Sequence, residues 1–100
     1  MRVRFFATIR KITGCVETDI PYQENAGALA RSLCKIYGEE LREKLYPPDM
    51  PRGHIEAAEE KFNQKIIILI NGRHVDHLGG PSALLKPDDH VDVFPMLAGG

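Results

Sequence analysis

The side chains able to do chemistry are few: four histidines, two cysteines, an Asp88-Asp89 pair, and a C-terminal Ala98-Gly99-Gly100 whose only functional group is a carboxylate. Of His54, His74, His77 and His90, only His74 and His77 are close in sequence, and a metal site there needs further ligands that the spacing does not supply. Solvated loop histidines are the simpler reading. Asp88 and Asp89 follow Lys86-Pro87, a composition that suits a turn in which aspartates bond nearby backbone amides. Cys34 falls beside an apolar helical stripe and reads as a packing residue. Cys15 opens a strand with Glu17 on its face, which gives no reason for a lowered thiol pKa. There is no glycine-rich phosphate loop with its lysine, and no nucleophile matched to a base.

The terminus differs. Phe94-Pro95-Met96-Leu97-Ala98-Gly99-Gly100 loses side-chain bulk toward its end. Two final glycines remove every Cβ, so such a tail can thread a narrow channel and present an unhindered carboxylate to a nucleotide. A frayed terminus also collects small residues. The discriminating observation is how the rest of the chain positions this tail.

Val3, Phe5, Ala7 and Ile9 alternate with Arg2, Arg4, Thr8 and Arg10, which predicts a strand with one face on a core. Phe6 breaks the pattern, as a partner contact or as a scattered exposed apolar residue. Thr13-Gly14 predicts a turn into a second strand, in which Val16, Thr18 and Ile20 share one side, so the two read as a hairpin. Pro21 ends it, and Asn25 is placed to cap a helix whose Leu29, Ala30, Leu33, Ile36 and Tyr37 form one stripe. Gly38 is the expected C-cap, with a further turn or two to follow in which Leu41 and Leu45 face inward.

Residues 46–65 hold Pro47-Pro48, Pro51 and Glu56-Ala57-Ala58-Glu59-Glu60 without sustained periodicity, and read as a mobile insertion or a short helix over 55–62. Ile66 to Ile70 is a strand with both faces occupied, and Asn71-Gly72 is a two-residue hairpin turn returning through Arg73 to Val75. A loop at Gly79-Gly80-Pro81, a helical turn over 82–85 and a turn at Lys86 to Asp89 lead to a last strand, His90 to Phe94, stopped by Pro95. The result is an α+β domain spanning residues 1–100, with one main helix on a sheet and a flexible tail over 95–100.

Composition narrows the function. A hundred residues suit a single core, and a net charge of −1 gives no field to draw nucleic acid or anionic lipid. Two cysteines without metal or redox spacing fit a reducing compartment, and the N-terminus enters an alternating segment without an apolar leader, so a cytoplasmic location is expected.

Val3-Arg4-Phe5-Phe6-Ala7-Thr8-Ile9-Arg10, Leu29-Ala30-Arg31-Ser32-Leu33 before Tyr37-Gly38, Ile70-Asn71-Gly72-Arg73 and the Phe94-Pro95 to Gly99-Gly100 ending together resemble the ubiquitin-like sulfur-carrier family. That family includes the molybdopterin synthase small subunit, the thiazole-synthesis sulfur carrier and archaeal-type small modifiers. Two departures are Met96, where members often carry a second proline, and the length of residues 46–65. The resemblance implies a β-grasp fold with a mixed sheet, and a carrier without catalytic machinery or a resident metal or cofactor. It also implies that a ubiquitin-activating-enzyme-like adenylyltransferase uses ATP and magnesium to adenylate Gly100. A sulfur donor then yields a thiocarboxylate, which gives up sulfur beside a larger molybdopterin synthase subunit. Ala98 and Gly99 would line the channel, Phe94, Met96 and Leu97 would anchor the root, and Phe6, Arg4 and Arg73 would mark the docking face. The competing readings are a modifier joined to lysines of other proteins, with or without sulfur transfer to tRNA, and a plain binding module.

Overall fold

The computed structural model describes residues 1–50 and 59–96. Strands β1 (Arg2–Phe5), β2 (Glu17–Asp19), β3 (Ile66–Ile70), β4 (Arg73–His74) and β5 (His90–Pro95) form one five-stranded sheet in the order β2-β1-β5-β3-β4. The first and last strands lie side by side in parallel, and every other pair is antiparallel. Parallel neighbours need a long crossover, and here nearly the whole chain supplies it. The mixed sheet and its main helix bear out the expected β-grasp architecture.

The period-two pattern sorts the sheet. Val3 and Phe5 of β1, Val91 and Val93 of β5, and Ile66, Ile68 and Ile70 of β3 are buried on one face. Against them pack α2 (Ala26–Tyr37) through Leu29, Ala30 and Leu33, and α3 (Glu39–Leu45) through Leu41 and Leu45. Asn25 starts α2 by accepting the Ala28 N–H at 2.8 Å, and Gly38 ends it at φ 88°, a left-handed angle that favours glycine. Asn71 and Gly72, at φ 52° and 84°, make the expected hairpin turn.

Several expectations are corrected. The first strand stops at Phe5, and Ala7–Thr13 is a helix, α1, closed by Gly14 in the left-handed conformation. Ile9 and Ile12 are three apart and both reach the core, so a helical spacing lay under the alternation. β1 and β2 are antiparallel neighbours, but α1 joins them instead of a tight turn. Val16 is exposed, Cys15 packs on the core instead, and Ile36 at the end of α2 is exposed. The helical turn expected over 82–85 is replaced by 3-10 turns at Val75–Leu78 and Gly80–Ser82. Leu84 bridges Asn25, with Ala26 N–H to Ala83 O and Leu85 N–H to Glu24 O.

The ends of the 46–65 excursion are packed. Tyr46, Met50 and Glu60 are buried, and Asn63 N–H donates to Leu45 O at 2.8 Å. The Glu60 carboxylate accepts from Arg31 and from the Tyr46 hydroxyl, the latter at 2.7 Å. Gly27 makes room for it: a Cβ there would lie 2.5 Å from Glu60 Oε1 and 3.1 Å from Pro81 O. Burial and the Glu60 carboxylate both push the Tyr46 phenol up, so it stays a donor. Residues 59–62 are not helical, and the rest of the helix expected over 55–62 lies outside the described residues.

Candidate functional site at the open sheet face

The helices cover one face of the sheet and leave the other open. Side chains directly opposite across a ladder share a face, so the register assigns its members. Arg4 lies opposite Asp92, Asp92 opposite Leu69, Leu69 opposite His74, and Phe94 opposite Ile67. Ile67, Leu69, Asp92 and Phe94 are half-buried with no helix over them.

The corner after β1 completes the surface. Phe6 N–H still bonds Val93 O at 3.1 Å, and then Ala7, at φ 52°, turns the chain into α1. The Phe6 ring meets Phe94 edge to face, with centroids 5.8 Å apart. Arg4 and Arg10 place their guanidinium carbons 5.7 and 5.8 Å from the centre of the same ring. Arg4 is held by Asp92 through Nε to Oδ1 at 2.7 Å and Nη2 to Oδ2 at 3.0 Å, and that hydrogen bond with its charge raises the Arg4 pKa further. Phe6, Ala7, Asp92, Phe94 and Pro95 line an open apolar cleft of about 320 Å³.

β5 leaves the sheet at this cleft. Pro95 is the last rung of the strand, opposite Ile66, where the sequence suggested that it would stand just outside. Met96 N–H donates to Lys65 O at 2.9 Å, so the backbone at Pro95 faces the side that β1 has vacated, where a missing N–H costs no ladder bond. Met96 is exposed beside Lys65. Leu97, Ala98, Gly99 and Gly100 lie outside the described residues.

The structure therefore brings Arg4, Phe6, Phe94 and Met96 to one end of one face. Arg73 is not among them. It pairs with Ile70, so it belongs to the helix-bearing side, and His74 is the β4 residue on the open face. Asp92, Ala7 and Arg10 were missed; the alternation of His90, Asp92 and Phe94 already placed Asp92 beside Phe94.

The other candidates resolve into structural roles. Asp89 accepts the Lys86 N–H and the Asn71 amide, each at 2.8 Å, which makes Asp88-Asp89 a turn. His74 and His77 rings lie 5.8 Å apart, and among the described residues no group of three ligands could hold a metal. His54 lies outside the described residues. Burial pushes the Cys34 thiol up to about 11, and Cys15 Sγ lies 3.4 Å from the Tyr37 hydroxyl, partly buried rather than free on the surface.

The ThiS family model matches residues 3–100, which include every residue of this face except Met1 and Arg2 at the head of the first strand. The chain belongs to the ThiS family of ubiquitin-like sulfur carriers. A curated relative of this carrier, small archaeal modifier protein 3 of Haloferax volcanii, is 31% identical over 102 residues, covering 100% of this chain and 98% of that one. The solution structure of small archaeal modifier protein 1 from Methanosarcina acetivorans is similar at a TM-score of 0.78 and 28% identity, over 99% of this chain and 94% of that one. At 18% identity, the BexX/CysO complex of Amycolatopsis orientalis shares the fold at a TM-score of 0.77, over 99% of the carrier and 98% of the matched chain. No helix among the described residues is long and apolar enough to cross a membrane.

Proposed function

We propose that the Gly100 carboxylate is adenylated by a ubiquitin-activating-enzyme-like partner and converted to a thiocarboxylate that donates sulfur in molybdopterin synthesis. A carboxylate is a poor acyl donor, and joining it to AMP creates a mixed anhydride that a sulfur nucleophile can open. ATP and magnesium belong to the activating partner. The carrier contributes reach, through its last four residues, and docking, through Phe6, Phe94 and the Arg4-Asp92 pair. The carrying observation is that β5 ends beside an apolar cleft on an open face while the family match runs through Gly100.

The names of two relatives favour a second destination: both are small archaeal modifiers. In that reading the same activated Gly100 passes to lysine amines of other proteins. Both routes share the first step, and one added residue tests it. Extending the chain beyond Gly100 should abolish activation while leaving the fold unchanged; an extended chain still charged by the adenylyltransferase would refute both routes. Intact mass of carrier from its host separates them, as sulfur in place of oxygen or as larger lysine-linked species.

A further inference from the structure

We infer that the outer edge of β2 accepts an added strand from a partner protein, an extended segment with basic residues at alternate positions. β2 stands at one end of the sheet order, with β1 on one side only. Phe5 N–H donates to Val16 O at 2.8 Å and Ile20 N–H to Met1 O at 2.9 Å, so the even-numbered residues turn their backbone groups toward β1. Glu17 and Asp19 therefore turn theirs outward, and no hydrogen bond among the described residues takes up their amides or carbonyls.

This open stretch has defined ends. At one, Thr13 Oγ1 donates to Cys15 O at 3.1 Å and accepts the Cys15 N–H at 3.4 Å. At the other, Pro21 has no N–H, and its carbonyl accepts from Gln23 Nε2 at 3.3 Å. Between them the N–H and C=O of Glu17 and of Asp19 form a template for the backbone of an extended guest.

Charge selects the occupant. Glu17 lies opposite Arg4 and Asp19 opposite Arg2, so both acids stand on the open face at the edge of the sheet. Their cations come from the β1 side, Arg2 at 3.4 Å from Glu17 and the Met1 amine at 2.9 Å from Asp19, and the Asp19 side chain remains 85% exposed. Asp88 and Asp89 join these acids around an open cleft of about 390 Å³, against Arg2 and the Met1 amine. In an antiparallel addition, guest residues opposite Asp19 and Glu17 share the face of those acids, and the one opposite Thr18 points to the helix side. Arg2-Val3-Arg4 already pairs with β2 in this pattern on its inner edge, so the guest reads basic, apolar, basic. Arginine suits it better than lysine, because a planar guanidinium can hold a carboxylate through two N–H groups. A second copy of the chain does not fit. Two β2 edges related by a twofold axis through Thr18 would set Glu17 against Asp19, and like charges directly opposed destabilise a ladder.

The test is a nuclear magnetic resonance titration of the full, isotope-labelled chain with a capped synthetic peptide, Gly-Arg-Val-Arg-Val-Gly, and with the same peptide carrying glutamate for arginine. The arginine peptide should shift the Glu17 and Asp19 amides and, at about ten times its dissociation constant, slow their hydrogen exchange about tenfold. N-methylation of the guest residue facing Glu17 should weaken binding at least about tenfold by removing a backbone donor. Glu17→Gln with Asp19→Asn, in a chain whose remaining spectrum is unchanged, should weaken it by a similar factor. No shift up to ~1 mM peptide, where binding of ~mM strength registers, would overturn the proposal. So would equal binding of the glutamate peptide, undiminished binding of the N-methylated one, or shifts confined to the Phe6 and Phe94 cleft. Protection of Glu17 and Asp19 that rises with protein concentration in the absence of peptide would assign the edge to a second copy instead, and would equally overturn it.

Discussion

Arg4 and Asp92 face each other across the parallel β1–β5 rung, with Nε 2.7 Å from Oδ1, on the same side of the sheet as Phe94. The pair ties the first strand to the last and holds the guanidinium against the Phe6 ring. The Arg4 guanidinium is solvent-exposed, and an ion pair to an exposed group adds little to stability. Arg4→Ala should therefore change denaturant midpoints little, while titration against the activating partner should show a clear loss of affinity. A large loss of stability with unchanged affinity would reverse the roles assigned to this pair.

Phe6 and Phe94 should be the centre of the docking surface. Aromatic anchors at the middle of an interface commonly cost about 2 kcal/mol or more when truncated, which is over tenfold in affinity. Phe6→Ala and Phe94→Ala are expected to reach that loss by calorimetry, and Met96→Ala to fall below it. Unchanged binding by Phe6→Ala would remove this face from the account.

The Glu60 cluster should be a stability determinant remote from docking. Glu60→Ala deprives the buried Tyr46 hydroxyl of its acceptor, a loss of about 1–3 kcal/mol. Gly27→Ala is expected to destabilise as well, because the added Cβ meets the Glu60 carboxylate. Urea unfolding measures both, and the rate of Gly100 charging should be unaffected.

Cys34 links stability to alkaline pH. Burial raises its thiol from 9.0 to about 11, so between those values the native chain keeps a proton that the unfolded chain has shed. The unfolded state then binds fewer protons, and stability falls as pH rises from about 9 to about 11. Cys34→Ala should remove that part of the slope in unfolding measured across the window. Iodoacetamide should label Cys34 slowly at pH 8, because the thiolate is the reactive form.

Much of this architecture is legible in the residues themselves. Asn25, Gly38 and Asn71-Gly72 carry their own chemistry for capping and turning, and Ile66 to Ile70 is a strand as expected, but only its Ile66, Ile68 and Ile70 face is covered; Ile67 and Leu69 lie half-buried on the open face, so the expected second cover is absent. Residues 7–13 were misread because Phe5, Ala7 and Ile9 satisfy a period of two while Ile9 and Ile12 satisfy a helical one. Only the core beneath them decides between the two. Arg73 shows another limit. A strand places its residues on alternate faces, but which face follows from the rung it shares with Ile70, a property of the folded ladder. Likewise, nothing local to Glu60 announces that Arg31, Tyr46 and a vacant Cβ at Gly27 will converge on it.

The central claim is that Gly100 becomes a thiocarboxylate. The most direct measurement is the intact mass of the carrier isolated from its host under conditions that avoid hydrolysis, with fragmentation to locate any change. The account predicts a population in which one oxygen is replaced by sulfur at Gly100. A chain recovered entirely as the free carboxylate, from cells in which its adenylyltransferase is active and its sulfur acceptor is withheld, would contradict it.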